Sequence, residues 1–130
     1  MNNELQAEEK RQHNRLIFKD IAYAIVNTDN TLVGHMIDIS EGGMAFSYVG
    51  SHLIEQNEIT IDIFLHYLDL HLRNIPVLII NNFYLQTDLP ASRVPMMRCG
   101  ASFNNINAEQ KKHLQCIINS LAGDEAAVLS

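Results

Sequence analysis

Long apolar runs, cysteines and positive charge are all scarce in this chain, and each scarcity excludes something. No uninterrupted hydrophobic stretch approaches the roughly 20 residues that a membrane-crossing helix needs. The segment Met1 to Lys10 is polar and acidic and lacks the apolar core of a secretory signal, so a cytoplasmic location without membrane insertion is expected. Two cysteines, Cys99 and Cys116, do not make a disulfide framework, and reduced thiols are expected. Cys99 alternates with Met97, Ala101 and Phe103, which reads as a small buried hydrophobe on a strand. Nine Lys and Arg stand against fifteen Asp and Glu, a net charge of −6, too few cations for the extended basic face that grips DNA or RNA.

Motifs of catalysis are missing as well. There is no Gly-x-x-x-x-Gly-Lys phosphate loop and no Gly-x-Ser-x-Gly nucleophile turn. Neither Cys-x-x-Cys nor His-Glu-x-x-His occurs, and His66 and His71 differ in strand parity, so no metal site is expected. The reading that follows is a protein that is not an enzyme, with no catalytic residues and no cofactor.

What is present is a chain of 130 residues, 47% hydrophobic and 18% charged, sized for one globular domain. Strand patterns fall at Ile21 to Asn27, Thr31 to Ile39 and Met44 to Val49, separated by turn-forming residues at 28–30 and 40–43. Adjacent Gly42 and Gly43 can take positive φ in the second of these turns. Ile59, Ile61, Ile63 and Leu65 give the cleanest alternation, which resumes at Leu68, Leu70 and Leu72 and passes Pro76, an edge or bulge position, to Val77–Ile80. A last strand is expected over Met96 to Asn104. A helix should then start at an Asn107 cap with Gln110 three residues on, bury Leu114, Ile117, Ile118 and Leu121, and end at Gly123. The order argues for a mainly β fold: a small antiparallel β-barrel of about six strands with a C-terminal α-helix. The expected organisation is a flexible tail over 1–9, the domain over 10–122 and a C-terminal tail over 123–130.

Two motifs carry the functional information. Lys10, Arg11 and Arg15 form a local basic cluster in an acidic chain, which suits a small anion better than a polymer. Asp38-Ile39-Ser40-Glu41-Gly42-Gly43 follows a strand. There Asp38 and Ser40 share a face, and the glycines permit close approach of a large ring. Arginine suits phosphate and the guanine O6 and N7 edge, while a carboxylate suits the guanine N1–H and amino donors. The plainer alternatives are a solvated basic stretch and a hairpin turn that satisfies its own backbone.

The pair of motifs, Arg11-x-x-x-Arg15 and Asp38-x-Ser40-x-x-Gly43, resembles those of the PilZ domain family, receptors for the bacterial second messenger cyclic di-GMP. The similarity spans about residues 10 to 122, including Met44-Ala45-Phe46 and the Cys99-Gly100-Ala101-Ser102-Phe103 segment. It implies cyclic di-GMP as ligand, with Arg11 and Arg15 on phosphates and guanine, and Asp38, Ser40 and Gly43, with Gly42 beside it, in the second half of the site. Lys10 occupies a place where basic residues in the family accompany an intercalated ligand dimer. A downstream protein partner would read the ligand-induced surface. The alternative is a PilZ-fold adaptor that contacts proteins without binding the nucleotide.

Overall fold

The computed structural model describes residues 15–18, 21–28, 31–50, 54–66, 68–85 and 95–129, with side chains of the last helix described as far as Gly123. Among the described residues seven strands and a helix follow in order: β1 Leu16–Ile17, β2 Ala22–Asn27, β3 Leu32–Ile39, β4 Gly43–Val49, β5 Glu58–Leu65, β6 Leu70–Leu85, β7 Met96–Phe103 and α1 Ala108–Leu129. All strand pairings are antiparallel. The sheet runs β3-β2-β5-β6-β7-β4 and closes through a β3–β4 pairing, so β2 to β7 form a six-stranded barrel. Closure removes the sheet edges that would otherwise invite aggregation.

Alternation explains the core. Ile59, Ile61, Ile63 and Leu65 of β5, Ala22, Ala24 and Val26 of β2, and Met97, Cys99 and Ala101 of β7 all point inward and are buried. Leu114, Ile117 and Leu121 of α1 join the same cluster. The helix starts as a reciprocal cap: the Asn107 side chain accepts from the Gln110 N–H at 2.7 Å, and the Gln110 side chain accepts from the Asn107 N–H at 3.0 Å.

Three local expectations need correction. The helix passes through Gly123 to Leu129; one glycine costs only about 1 kcal/mol, and Glu125, Ala126 and Ala127 beyond it favour helix. Leu68 belongs to the turn before β6 and is exposed. Pro76, by contrast, holds the expected edge position: within the 16-residue strand it pairs with Thr60 but lies just past the end of the ladder with β7, and its carbonyl accepts from the Asn104 N–H at 2.9 Å. Finally, no described glycine has positive φ. Gly43 is required for another reason: a Cβ there would collide with the Ala101 carbonyl oxygen of β7.

β1 was not foreseen. It pairs Leu16 with Ile39 and Ile17 with Asp38, and the Phe18 N–H donates to the Ile37 carbonyl at 3.0 Å. Since β4 occupies the other edge of β3, β1 continues the edge that β2 leaves at His35. The base of the N-terminal arm is thereby tied to the strand that carries Asp38.

Candidate functional site

A regular β3 would send Asp38 inward with Gly34 and Met36, because residues two apart share a face. It does not. The β3–β4 register steps from Met36↔Phe46 to Asp38↔Ala45, leaving Ile37 as an extra residue. This bulge reverses the alternation. Ile39 turns into the core, fully buried, and Asp38 turns onto the outer surface at the foot of a cleft, with 8% of its area still exposed.

The floor of this cleft is a row of partners across four strands: Asp38 faces Ala45, Ala45 faces Gly100, and Gly100 faces Asn81. Small residues in the middle leave a trough of about 470 Å³, within the range of small-molecule sites. A second bulge, at Ile80 between Ile79↔Ala101 and Asn81↔Gly100, bends β6 along the far side. Ile80 and Phe83 form that wall and are 65% and 45% exposed. Asn81 pins the bulge by accepting from the Gly100 N–H at 3.1 Å.

The near end is polar. Ser40 opens the β3–β4 turn, its N–H donating to the Gly43 carbonyl at 2.8 Å and its hydroxyl accepting from the Gly42 N–H at 3.3 Å. The Gly42 carbonyl accepts from the Phe103 N–H at 3.0 Å, which ties the turn to β7. Arg98 of β7 places its Nη2 3.6 Å from Oδ2 of Asp38. Arg15, exposed just before β1, reaches the same cleft. The trough thus joins two guanidinium groups, a carboxylate and a hydroxyl to one apolar wall, a set that can hold an anion and a flat heterocycle together.

Of the residues singled out in sequence, Arg15, Asp38, Ser40, Gly42 and Gly43 all line this one cleft. Lys10 and Arg11 lie outside the described residues. Among the described residues no three His, Cys, Asp or Glu side chains cluster as a metal site would require. His71 instead lies 3.6 Å from Asp62. Cys99 is sealed in the core, where burial pushes its thiol up to about 12, and Cys116 is exposed on α1. No described helix is long and apolar enough to cross a membrane.

The model of the PilZ domain matches residues 9–120. The chain belongs to the PilZ domain family. Its barrel resembles the PilZ domain of YcgR from Escherichia coli, a structure with c-di-GMP, at 18% identity and a TM-score of 0.71, covering 92% of this chain and 97% of that one. It also resembles the MrkH–c-di-GMP complex of K. pneumonia, at 13% identity and a TM-score of 0.74, covering 90% of this chain and 54% of that one. The Bacillus subtilis inhibitor of motility (MotI/DgrA) follows at 22% identity and a TM-score of 0.55, with 87% and 52% covered. The chain therefore spans about half the length of MrkH and of the motility inhibitor. No curated protein sequence matches the chain significantly.

Within this PilZ domain the sequence motifs did not announce Arg98, Asn81, Ile80 or Phe83. Arg98 lies on the outward face, opposite to Met97 and Cys99. That this face belongs to the cleft follows from the β4–β7 and β6–β7 pairings, which no local pattern reveals.

Proposed function

We propose that this PilZ domain is a cyclic di-GMP receptor whose ligand occupies the cleft between the β3–β4 turn and the N-terminal arm. The observation that carries the reading is convergence: Arg15 from one motif and Asp38, Ser40 and Gly43 from the other, far apart in sequence, line one trough. Membership of the family supports it, as do two structurally similar proteins solved with c-di-GMP.

In this reading Arg15 and Arg11, with Lys10 beside them, bind the phosphodiester groups and a guanine face. Asp38 accepts from the guanine N1–H and amino group, and Ser40 bonds an adjacent polar atom. Gly42 and Gly43 let the ring lie against the backbone. The domain performs no chemistry; ligand and arm together create a surface that a protein partner reads. Calorimetry tests the binding: saturable heat is expected with cyclic di-GMP and far less with GTP or the linear dinucleotide. Silence at about 100 μM, roughly −5.5 kcal/mol on the affinity scale, would replace the receptor reading with that of a ligand-free adaptor.

A further inference from the structure

Arg98 belongs to neither motif, yet it is the described cation closest to Asp38. Its strand position explains why it can be there. Arg98 pairs with Ser47 on one side and Phe83 on the other, and stands two residues from Gly100. Ala45 and Gly100 separate it from Asp38 with one methyl group and one hydrogen, so nothing bulky stands in the way of the guanidinium. The resulting separation of 3.6 Å is ion-pair range, longer than a committed N–H···O hydrogen bond of about 2.7–3.2 Å. A guanidinium carries five N–H donors in a planar fork, more than one carboxylate oxygen can take.

We propose that Arg98 and Asp38 act as one guanine-reading couple, in which Asp38 accepts from N1–H and the 2-amino group while Arg98 donates to O6 beside them. The inference rests on the receptor reading above and adds a residue and a specificity to it. The guanine edge presents an acceptor and then two donors in a row. Its complement is a donor followed by an acceptor that can take two bonds, which is a guanidinium standing next to a carboxylate. Adenine presents an amino donor where guanine has O6, so it meets Arg98 donor to donor. Arg98 also offsets the charge of a carboxylate that is 8% exposed, whether or not a base is present.

The test uses the full chain and three probes: cyclic di-GMP, cyclic di-IMP, which keeps O6 and N1–H but lacks the amino group, and cyclic di-AMP. Arg98→Ala should weaken cyclic di-GMP and cyclic di-IMP alike by about tenfold, the scale of one base-edge contact, and narrow their advantage over cyclic di-AMP. Asp38→Ala should instead abolish the difference between cyclic di-GMP and cyclic di-IMP. Arg98→Lys keeps the charge beside Asp38 without the planar fork and should restore only part of the loss. Full affinity with lysine but without the preference over cyclic di-AMP would reduce Arg98 to a counter-charge and overturn the proposal. Unchanged or tighter binding by a folded Arg98→Ala protein would do the same, and Arg98→Gln, judged by the same ratios, replaces that variant if it fails to fold. Wild-type silence toward all three probes would overturn the receptor reading and this one with it; wild-type binding with insensitive Arg98 variants overturns this one alone.

Discussion

Two rows of outward-facing residues cross the same barrel and are built on opposite plans. One runs Ile17, Asp38, Ala45, Gly100, Asn81 over β1, β3, β4, β7 and β6. The other runs His35, Tyr23, Phe64, His71 over β3, β2, β5 and β6. In the second row rings cover the sheet: Tyr23 and His35 lie 5.3 Å apart between centroids, and Phe64 meets His71 edge-on at 5.9 Å. In the first row the centre holds only a methyl group and a hydrogen. Both rows sit on antiparallel ladders. The cleft is therefore made by leaving side chains out, with charge and hydroxyl kept to its rim and a bulge on each flanking strand to aim them.

The largest effects should come from breaking the rim. Asp38→Ala and Arg15→Ala should each weaken cyclic di-GMP binding by about 2–3 kcal/mol, roughly 30- to 150-fold, in calorimetric titrations. The Arg15 variant should keep wild-type thermal stability because its side chain is exposed. Hydrogen exchange should show ligand protection concentrated at residues 10–18 and 38–44, with α1 little changed; the β1–β3 pairing already anchors the base of the arm. Protection spread evenly over the ring row would erase the distinction between the two walls.

Filling the floor should come next. Gly43→Ala puts a methyl group against the Ala101 carbonyl, which is backbone and cannot swing away. A loss of about 1–3 kcal/mol in urea unfolding is expected, along with weaker ligand binding as the Ser40 turn shifts.

The ring wall should respond through stability alone. Asp62 lies on that wall. Burial opposes its ionisation, but hydrogen bonds from the Asn74 N–H and the Asn27 side chain, with His71 nearby, outweigh it and hold the carboxyl below its ordinary value. A lowered folded-state value means stability that is fully present above the ordinary carboxyl range near pH about 4 and is lost as pH falls through the lowered value. Asp62→Asn should cost about 1–2 kcal/mol at neutral pH and remove that acid-side dependence, read from unfolding curves across pH. Phe64→Leu, which keeps the apolar bulk and removes the ring, should have the smallest effect, about 0.5–1.5 kcal/mol for its edge-on contact with His71, with cyclic di-GMP affinity unchanged.

Most of the fold was legible because it rests on local periods. Ile59, Ile61, Ile63 and Leu65 point inward as their spacing of two requires, and the Asn107–Gln110 cap forms as its spacing of three requires. The lining of the candidate cleft was legible by half. Arg15, Asp38, Ser40, Gly42 and Gly43 could be named from residue chemistry and motif spacing, whereas Arg98, Asn81 and Phe83 could not. The positive φ expected of Gly43 is not found, for a similar reason: its turn chemistry is local, but the Ala101 carbonyl that forbids a side chain comes from a strand nearly 60 residues away.

By itself, then, the sequence determined which residues are apolar at period two, where the helix begins, and which two segments carry ligand-suited groups. These depend on the backbone geometry of a few consecutive residues. Tertiary structure alone decided that the Ile37 bulge turns Asp38 outward, that β1 brings Arg15 beside it, and that β7 lays Gly100 and Arg98 across the floor. Sheet order and register are pairings between distant strands, set by how all inward faces close around one core, and no local window of sequence contains them.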